Sequence, residues 1–172
     1  MLEIWIYILI FALAAVIFNI LYYVLGIYGH GKKHTMYKDN KFLPPGFLIG
    51  IIWIAVFGSL GYSWYLSFVG DPSLLYDKEF PRGWSQATIL TIVVAAYCLI
   101  YPLIAHYVDQ KYIPLLNFIG LIMAYALGIV VIQEYVAAFW YVLPLIVWTT
   151  YVCFADLMQY ADCIEKHLSK KA

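Results

Sequence analysis

The chain has 172 residues, of which 65% are hydrophobic and 12% are charged. Soluble domains average about 45–50% apolar and about 25% charged residues, so this composition excludes a water-soluble globular surface. The formal net charge is zero, which gives no indication of a nucleic-acid partner.

Five apolar segments are each long enough to cross a bilayer. A hydrocarbon core of about 30 Å needs about 20 helical residues, and a spanning helix satisfies its own backbone hydrogen bonds. The predicted spans cover residues 4–27, 45–69, 87–107, 112–132 and 136–160. The first has neither a basic start nor a small-residue cleavage signal, so we expect it to be retained. The sequence therefore predicts an all-α fold, with residues 1–172 forming one integral membrane bundle of five transmembrane helices.

The connections between the spans predict their arrangement and orientation. Very short turns follow the third and fourth spans, so the last three helices are expected to be antiparallel neighbours. Five spans place eight lysines on the side of the first loop and the C-terminus, namely Lys32, Lys33, Lys38, Lys41, Lys111, Lys166, Lys170 and Lys171. Only Lys78 and Arg82 lie opposite. By the positive-inside rule, the first loop and the C-terminus are predicted to be cytoplasmic or cytosolic.

The sequence contains no HExxH, GxSxG or paired-carboxylate pattern, and we predict no catalytic residues. A GxxxxGK string begins at Gly26, but Lys33 replaces the Ser or Thr of a phosphate loop and a membrane helix precedes it. His30 and His34 have helical spacing in a basic loop without a third ligand, so no metal site is predicted.

Polar residues inside membrane spans are costly and therefore informative. Asp156 is the one acid well inside an apolar run, and its position fits either the membrane interface or a cavity. Asn19 and Asn117 are interpreted as hydrogen-bonding residues between helices.

Small and aromatic residues recur at helical spacing on three spans. Gly120, Ala124 and Gly128 form a small-residue stripe, which permits close helix packing within the monomer or across a dimer. One face of the second span carries Trp53, Phe57 and Gly61, and one face of the fifth carries Trp148, Tyr151, Val152 and Asp156. These faces fit either core packing or the walls of a flat apolar pocket.

Two of these regions resemble one known family. Leu43–Leu66 reads LPPGFLIGIIWIAVFGSLGYSWYL, with a double proline opening a helix, a glycine three residues before a tryptophan, and an aromatic residue four after it. Leu143–Tyr151 reads LPLIVWTTY. Both are similar to segments of the translocator protein family, also called TspO or tryptophan-rich sensory proteins, which are five-helix membrane proteins. Members of that family bind tetrapyrroles and, in animals, cholesterol.

The resemblance implies a pocket for a flat hydrophobic ligand between the second and fifth helices, under the first loop. A porphyrin or related tetrapyrrole is the expected ligand, and no cofactor is required, although the pocket would accept porphyrin or haem. The residues expected to bind the ligand are Trp53, Phe57, Trp148, Tyr151 and Val152 as walls, Ile49 as a contact, and Tyr37, Pro44 and Pro45 as a lid.

A second hydrophobic ligand is suggested at the end of the fifth span. Leu157, Tyr160 and Lys166 satisfy a loose cholesterol-contact pattern, which is a hypothesis-grade signal because many helices that leave a membrane offer these residue types in this order. The family's sterol motif lies at the corresponding place.

The role implied is translocation or sensing, and two alternatives stay open. One is a non-catalytic structural subunit of a larger membrane complex, because Tyr97–Pro102 departs from the family's Trp-x-Pro-Pro region of the third helix. The other is a porphyrin-degrading enzyme. The partners expected are membrane lipids, a tetrapyrrole or other hydrophobic small molecule, and a second copy of the chain or another membrane protein.

Overall fold

Five helices make up the protein in a computed structural model, which describes residues 2–27, 40–70, 84–108 and 112–169, with side chains described as far as residue 161. The helices are α1 (Leu2–Val24), α2 (Gly46–Val69), α3 (Gln86–Tyr107), α4 (Ile113–Glu134) and α5 (Val136–Ser169). Each is long and apolar enough to cross a membrane. The predicted integral, multi-pass bundle of five transmembrane helices is confirmed.

Local sequence explains where the helices begin. Pro45 precedes α2 with φ −53° and ψ 144°, a position at which the missing proline N–H leaves no helical bond unmade. A capping box starts α3, because Ser85 accepts from the Thr88 backbone while the Thr88 hydroxyl accepts from the Ser85 backbone. Only Tyr135, in an extended conformation, separates α4 from α5.

Two helix ends differ from the predicted bounds by three residues or more, and the other bounds agree within two residues. The first helix ends at Val24, three residues early, because Gly26 adopts a φ of 69° and the Ile27 N–H bonds to the Tyr22 carbonyl. This left-handed glycine is a common way to end a helix. The fifth helix runs to Ser169, nine residues beyond the predicted span, because a helix can continue into water after the apolar segment ends.

The helices pack in an order that the short connections predict in part. The most extensive contacts are those of α1 with α2 and of α4 with α5, followed by those of α2 with α5 and α3 with α4. The last three helices are therefore sequential neighbours, as expected. The largest fully buried side chains include Phe57, Leu60, Leu127 and Leu145.

Glycines allow close approach between helices of the same chain. A Cβ atom on Gly61 would lie 2.6 Å from the Tyr7 carbonyl oxygen, so this position permits α1 and α2 to meet at backbone distance. A Cβ atom on Gly128 would lie 2.8 Å from Ile146 of α5. The small-residue stripe thus packs within the monomer, and Gly61 serves helix packing instead of forming a hollow in the predicted pocket.

Candidate functional site

A cavity lies among four helices, on the side of the bundle where α2 and α4 begin and α3 ends. Its volume is about 30 Å³, which is room for about one or two water molecules. It is lined by Trp53 of α2, by Tyr97, Cys98 and Tyr101 of α3, by Leu116, Asn117 and Gly120 of α4, and by Trp148, Thr149 and Val152 of α5. The lining is mostly aromatic and aliphatic, as in sites for apolar small molecules.

Two tryptophans form the wall between α2 and α5. The Trp53 and Trp148 rings meet edge to face, with centroids 6.3 Å apart and planes at 86°. Phe57 supports Trp53 at 5.8 Å, and Tyr151 supports Trp148 at 5.6 Å. Edge-to-face and tilted arrangements are favourable for aromatic rings, so these four side chains form a continuous aromatic unit.

Tyrosine and glycine form the opposite wall, where α3 meets α4. The Tyr97 hydroxyl donates to the Leu116 carbonyl at 2.7 Å. A Cβ atom on Gly120 would lie 3.2 Å from the Tyr97 ring, so the absence of a side chain on Gly120 gives that ring its place. Thr149 donates to the Leu145 carbonyl of its own helix at 2.9 Å, which uses its only donor.

The wall formed by Trp53 and Trp148 contains a buried hydrogen-bond donor, the indole N–H of Trp148. In the part of the chain that the structure describes, the indole N–H of Trp148 is buried and has no hydrogen-bond partner. Buried indole N–H groups are ordinarily paired, so this donor is available to an acceptor group or a water molecule.

A buried carboxylate adjoins the cavity on the side of the first loop. Asp156 is 7% exposed and accepts from two side-chain amides: Asn40 donates to Oδ1 at 2.7 Å, and Asn117 donates to Oδ2. The two donors come from the segment before α2 and from α4, while Asp156 lies on α5. Because Asn117 also lines the cavity, this polar network and the cavity share a residue.

Further bonds hold the segment before α2 against α5. The Tyr151 hydroxyl donates to the Phe42 carbonyl, and the Lys41 N–H donates to Gln159 Oε1 at 3.4 Å. The Asn40 side-chain oxygen accepts from the Phe42 N–H at 2.9 Å. Three residues of α5, Tyr151, Asp156 and Gln159, therefore bond to residues 40–42.

The structure brings some of the predicted ligand residues together and leaves others apart. Trp53, Trp148 and Val152 line the cavity. Phe57 and Tyr151 lie behind the two tryptophans, Ile49 is buried on α2, and Pro44 and Pro45 precede that helix. The cavity lies towards α3 and α4, not solely between α2 and α5 as predicted. Tyr37 lies outside the described residues.

The residues of the predicted sterol contact lie on the last part of α5. Leu157 and Tyr160 are exposed on the surface of that helix. Lys166 belongs to the same helix, but its side chain lies outside the described residues.

Several cavity residues were not predicted from the sequence. Tyr97, Cys98 and Tyr101 share one face of α3, and their spacing of i, i+1 and i+4 was the available signal. Asn117 and Gly120 were noted only as helix-packing residues. Asn40 had no signal, because it lies in a polar segment 116 positions from its partner Asp156.

The described side chains define what the cavity offers to a ligand. Among them, no three His, Cys, Asp or Glu residues come together at a possible metal site. Those that line the cavity offer aromatic faces, a thiol and one free indole donor, which suit a flat ligand with little polarity.

A comparison with known families supports the five-helix membrane fold. The family model described as the TspO/MBR family matches residues 7–160, which include the second, third and fourth membrane spans and most of the first and the fifth. Among curated proteins and solved structures, none matches the chain.

Proposed function

The chain belongs to the TspO/MBR family, with a translocator or sensor role in the membrane, and we propose that it binds a flat hydrophobic ligand at the Trp53–Trp148 wall. A porphyrin or related tetrapyrrole is the first candidate. The observation that carries the proposal is the aromatic unit, in which two tryptophans from different helices meet at the edge of a cavity inside the bundle.

The chemistry of the cavity supports this ligand class. A planar macrocycle exposes two large apolar faces, and aromatic side chains stabilise such faces by burial and by ring contacts. The Tyr97, Thr149 and Asn117 side chains of the lining each donate a hydrogen bond within the protein. This leaves an apolar interior with few sites for a strongly polar ligand.

A tetrapyrrole is much larger than the cavity, so its binding requires the walls to move apart. Trp53 is only partly buried, and its contact with Trp148 is made by side chains alone. We expect the two rings to separate and the ligand to lie between them, extending the cavity towards the junction of α2 and α5.

A binding titration with tryptophan variants tests this function. The purified protein in lipid nanodiscs is titrated with a porphyrin, and binding is followed by tryptophan fluorescence and porphyrin absorbance. Trp53→Ala and Trp148→Ala should each weaken binding by about 1–3 kcal/mol, or about 5- to 150-fold in Kd, because each removes one aromatic wall. Trp140→Ala is the matched control, because Trp140 is 66% exposed on the same helix as Trp148.

The titration also separates the alternatives. Equal affinity of both wall variants and the wild type, with the helical content intact, would contradict the proposed site and favour a structural subunit of a complex. Light-independent loss of porphyrin absorbance with the wild type, but not with Trp148→Ala, would instead indicate a porphyrin-degrading enzyme.

We propose further that the end of the bundle that carries Asp156 faces the cytoplasm or cytosol. The support is the distribution of basic residues, with eight lysines on this side and only Lys78 and Arg82 on the other. Protease added to the cytoplasmic face of sealed vesicles should remove the C-terminal tail. Removal of the tail only from the opposite face would reverse the assignment.

A further inference from the structure

We propose that Asp156 is a positioning residue that ties the segment entering α2 to the ligand cavity, so that breaking this tie opens the cavity. The inference rests on the proposed binding function. The tie consists of Asn40, Asp156 and Asn117, and we call it the Asp156 latch.

The Asp156 carboxylate joins two distant parts of the chain. Its two oxygens accept from amides on different parts of the chain, one before α2 and one near the start of α4. These donors lie 116 and 39 positions from Asp156. A single side chain therefore holds three elements together at one end of the bundle.

The Asp156 latch borders the cavity directly. Asn117 contributes its side chain both to the cavity lining and to the Asp156 carboxylate. Val152, one helical turn before Asp156, lines the same cavity. A shift of the carboxylate would therefore be transmitted to at least one wall residue.

Residues 40–42 lie on the other side of the Asp156 latch. The Asn40 oxygen accepts from the Phe42 N–H, which fixes the amide with its nitrogen towards Asp156. Tyr151 bonds to the Phe42 carbonyl while its ring packs on Trp148 of the cavity wall. Residues 40–42 are thus attached to α5 on both sides of Val152, where they can hold this end of the cavity shut.

A carboxylate within a membrane span is costly, and replacing a buried polar cluster by apolar residues of similar shape is often neutral for stability. Helix packing alone does not require Asp156, because the backbone groups of α5 are paired within the helix. A role in holding the segment against the cavity accounts for the carboxylate and both amides.

Cys98 provides a test that needs no ligand. It is buried and lines the cavity, so its rate of reaction with a membrane-permeant maleimide reports how often the cavity opens. Cys153→Ala and Cys163→Ala leave Cys98 as the one remaining thiol of the three in the sequence. In this background, the full chain in nanodiscs is compared with Asn40→Ala, Asp156→Asn and Gln159→Ala.

The latch predicts a clear order of rates. Asn40→Ala and Asp156→Asn should each raise the Cys98 modification rate at least about tenfold, the factor that corresponds to a charged hydrogen bond of about 1.4 kcal/mol. The double variant should react no faster than the faster single variant, because both substitutions break the same tie. Gln159→Ala should stay within about twofold, because its bond to the Lys41 backbone is long and exposed.

A second readout uses porphyrin, whose dissociation rate should rise by a similar factor in the two latch variants. Should Asp156→Asn fail to fold, Asn40→Ala tests the same tie from the loop side and leaves the carboxylate in place. Cys98 rates equal to that of the parent, in folded variants, would overturn the latch even where porphyrin binds. Faster Cys98 modification in a protein that binds no porphyrin would support the latch and overturn only the proposed ligand.

Discussion

The two ends of the bundle each place a carboxylate between helices, and the two carboxylates have different partners. Near the start of α3, Glu134 of α4 accepts from the Ala87 backbone N–H, with both oxygens at 3.2 Å. At the other end, Asp156 accepts from the side chains of Asn40 and Asn117. Glu134 is partly exposed, whereas Asp156 is buried.

The difference separates a requirement of the fold from an added feature. Every helix begins with backbone N–H groups that have no partner in the helix, and an acid near that end satisfies one of them and interacts favourably with the helix dipole. Glu134 and the Ser85–Thr88 capping box do this for α3. The donors to Asp156 are side chains, which other residue types could replace without leaving backbone groups unpaired. We therefore assign a structural role to the first end, whereas the second end is where we propose the Asp156 latch.

The largest effect on stability is expected for Asp156→Ala. This change leaves two amides without their acceptor, and each unsatisfied buried polar group costs about 1–3 kcal/mol. Allowing for some rearrangement of the two amides, we expect a loss of about 2–4 kcal/mol in the free energy of unfolding. Reversible denaturation in detergent micelles, followed by far-UV circular dichroism, measures it.

Thr150→Ala is the control for this measurement, because it removes a hydroxyl on the same helix that bonds only within that helix in the described hydrogen bonds. It should change the free energy by less than about 0.5 kcal/mol. If Asp156→Ala has the same denaturation midpoint as the wild type, the Asn40 and Asn117 amides find other partners. The expected difference in stability between the two ends of the bundle would then be absent.

A smaller effect is expected at the structural end for Ser85→Ala. The change removes the oxygen that accepts from the Thr88 N–H at 3.3 Å, and losing such a cap costs about 1 kcal/mol. The same denaturation experiment measures this loss. The Cys98 modification rate should remain that of the parent, because the cap lies at the opposite end from the cavity.

Ser85→Thr keeps a hydroxyl acceptor at the same position and should recover most of the stability. A large rise in Cys98 reactivity in Ser85→Ala would mean that the two ends of the bundle are coupled through α3. This result would contradict the separate roles of the Glu134 and Asp156 ends.

The helices could be predicted because membrane spans leave a strong local signal. Five runs of about 20 apolar residues identify themselves by length and composition alone. The extension of α5 beyond residue 160 carries no such signal, since hydropathy reports where lipid ends and not where a helix ends. The end of α1 depends on the left-handed conformation of Gly26, which composition does not specify.

The site was predictable only where its residues share a helix face with a recognised motif. Trp53, Trp148 and Val152, which line the cavity, were predicted in this way as ligand residues. The contribution of Cys98 and its neighbours depends on how α3 is rotated against α4, which a single sequence does not contain. The bond between Asn40 and Asp156 joins a polar segment to a distant helix, so neither periodicity nor local motif could predict it.

The smallest effect is expected for Glu134→Gln, and it gives the sharpest form of the comparison. Both Glu134 oxygens contact one backbone N–H, so the single oxygen of glutamine can still accept from it. Only the interaction of the charge with the start of α3 is lost, about 0.3–1 kcal/mol. In the matched change Asp156→Asn, two donors compete for one acceptor oxygen, so the loss should exceed that of Glu134→Gln. Denaturation midpoints of the two variants, measured side by side in the same micelles, give the order. Equal losses would mean that Asp156 acts through its charge alone and not through its two acceptor sites.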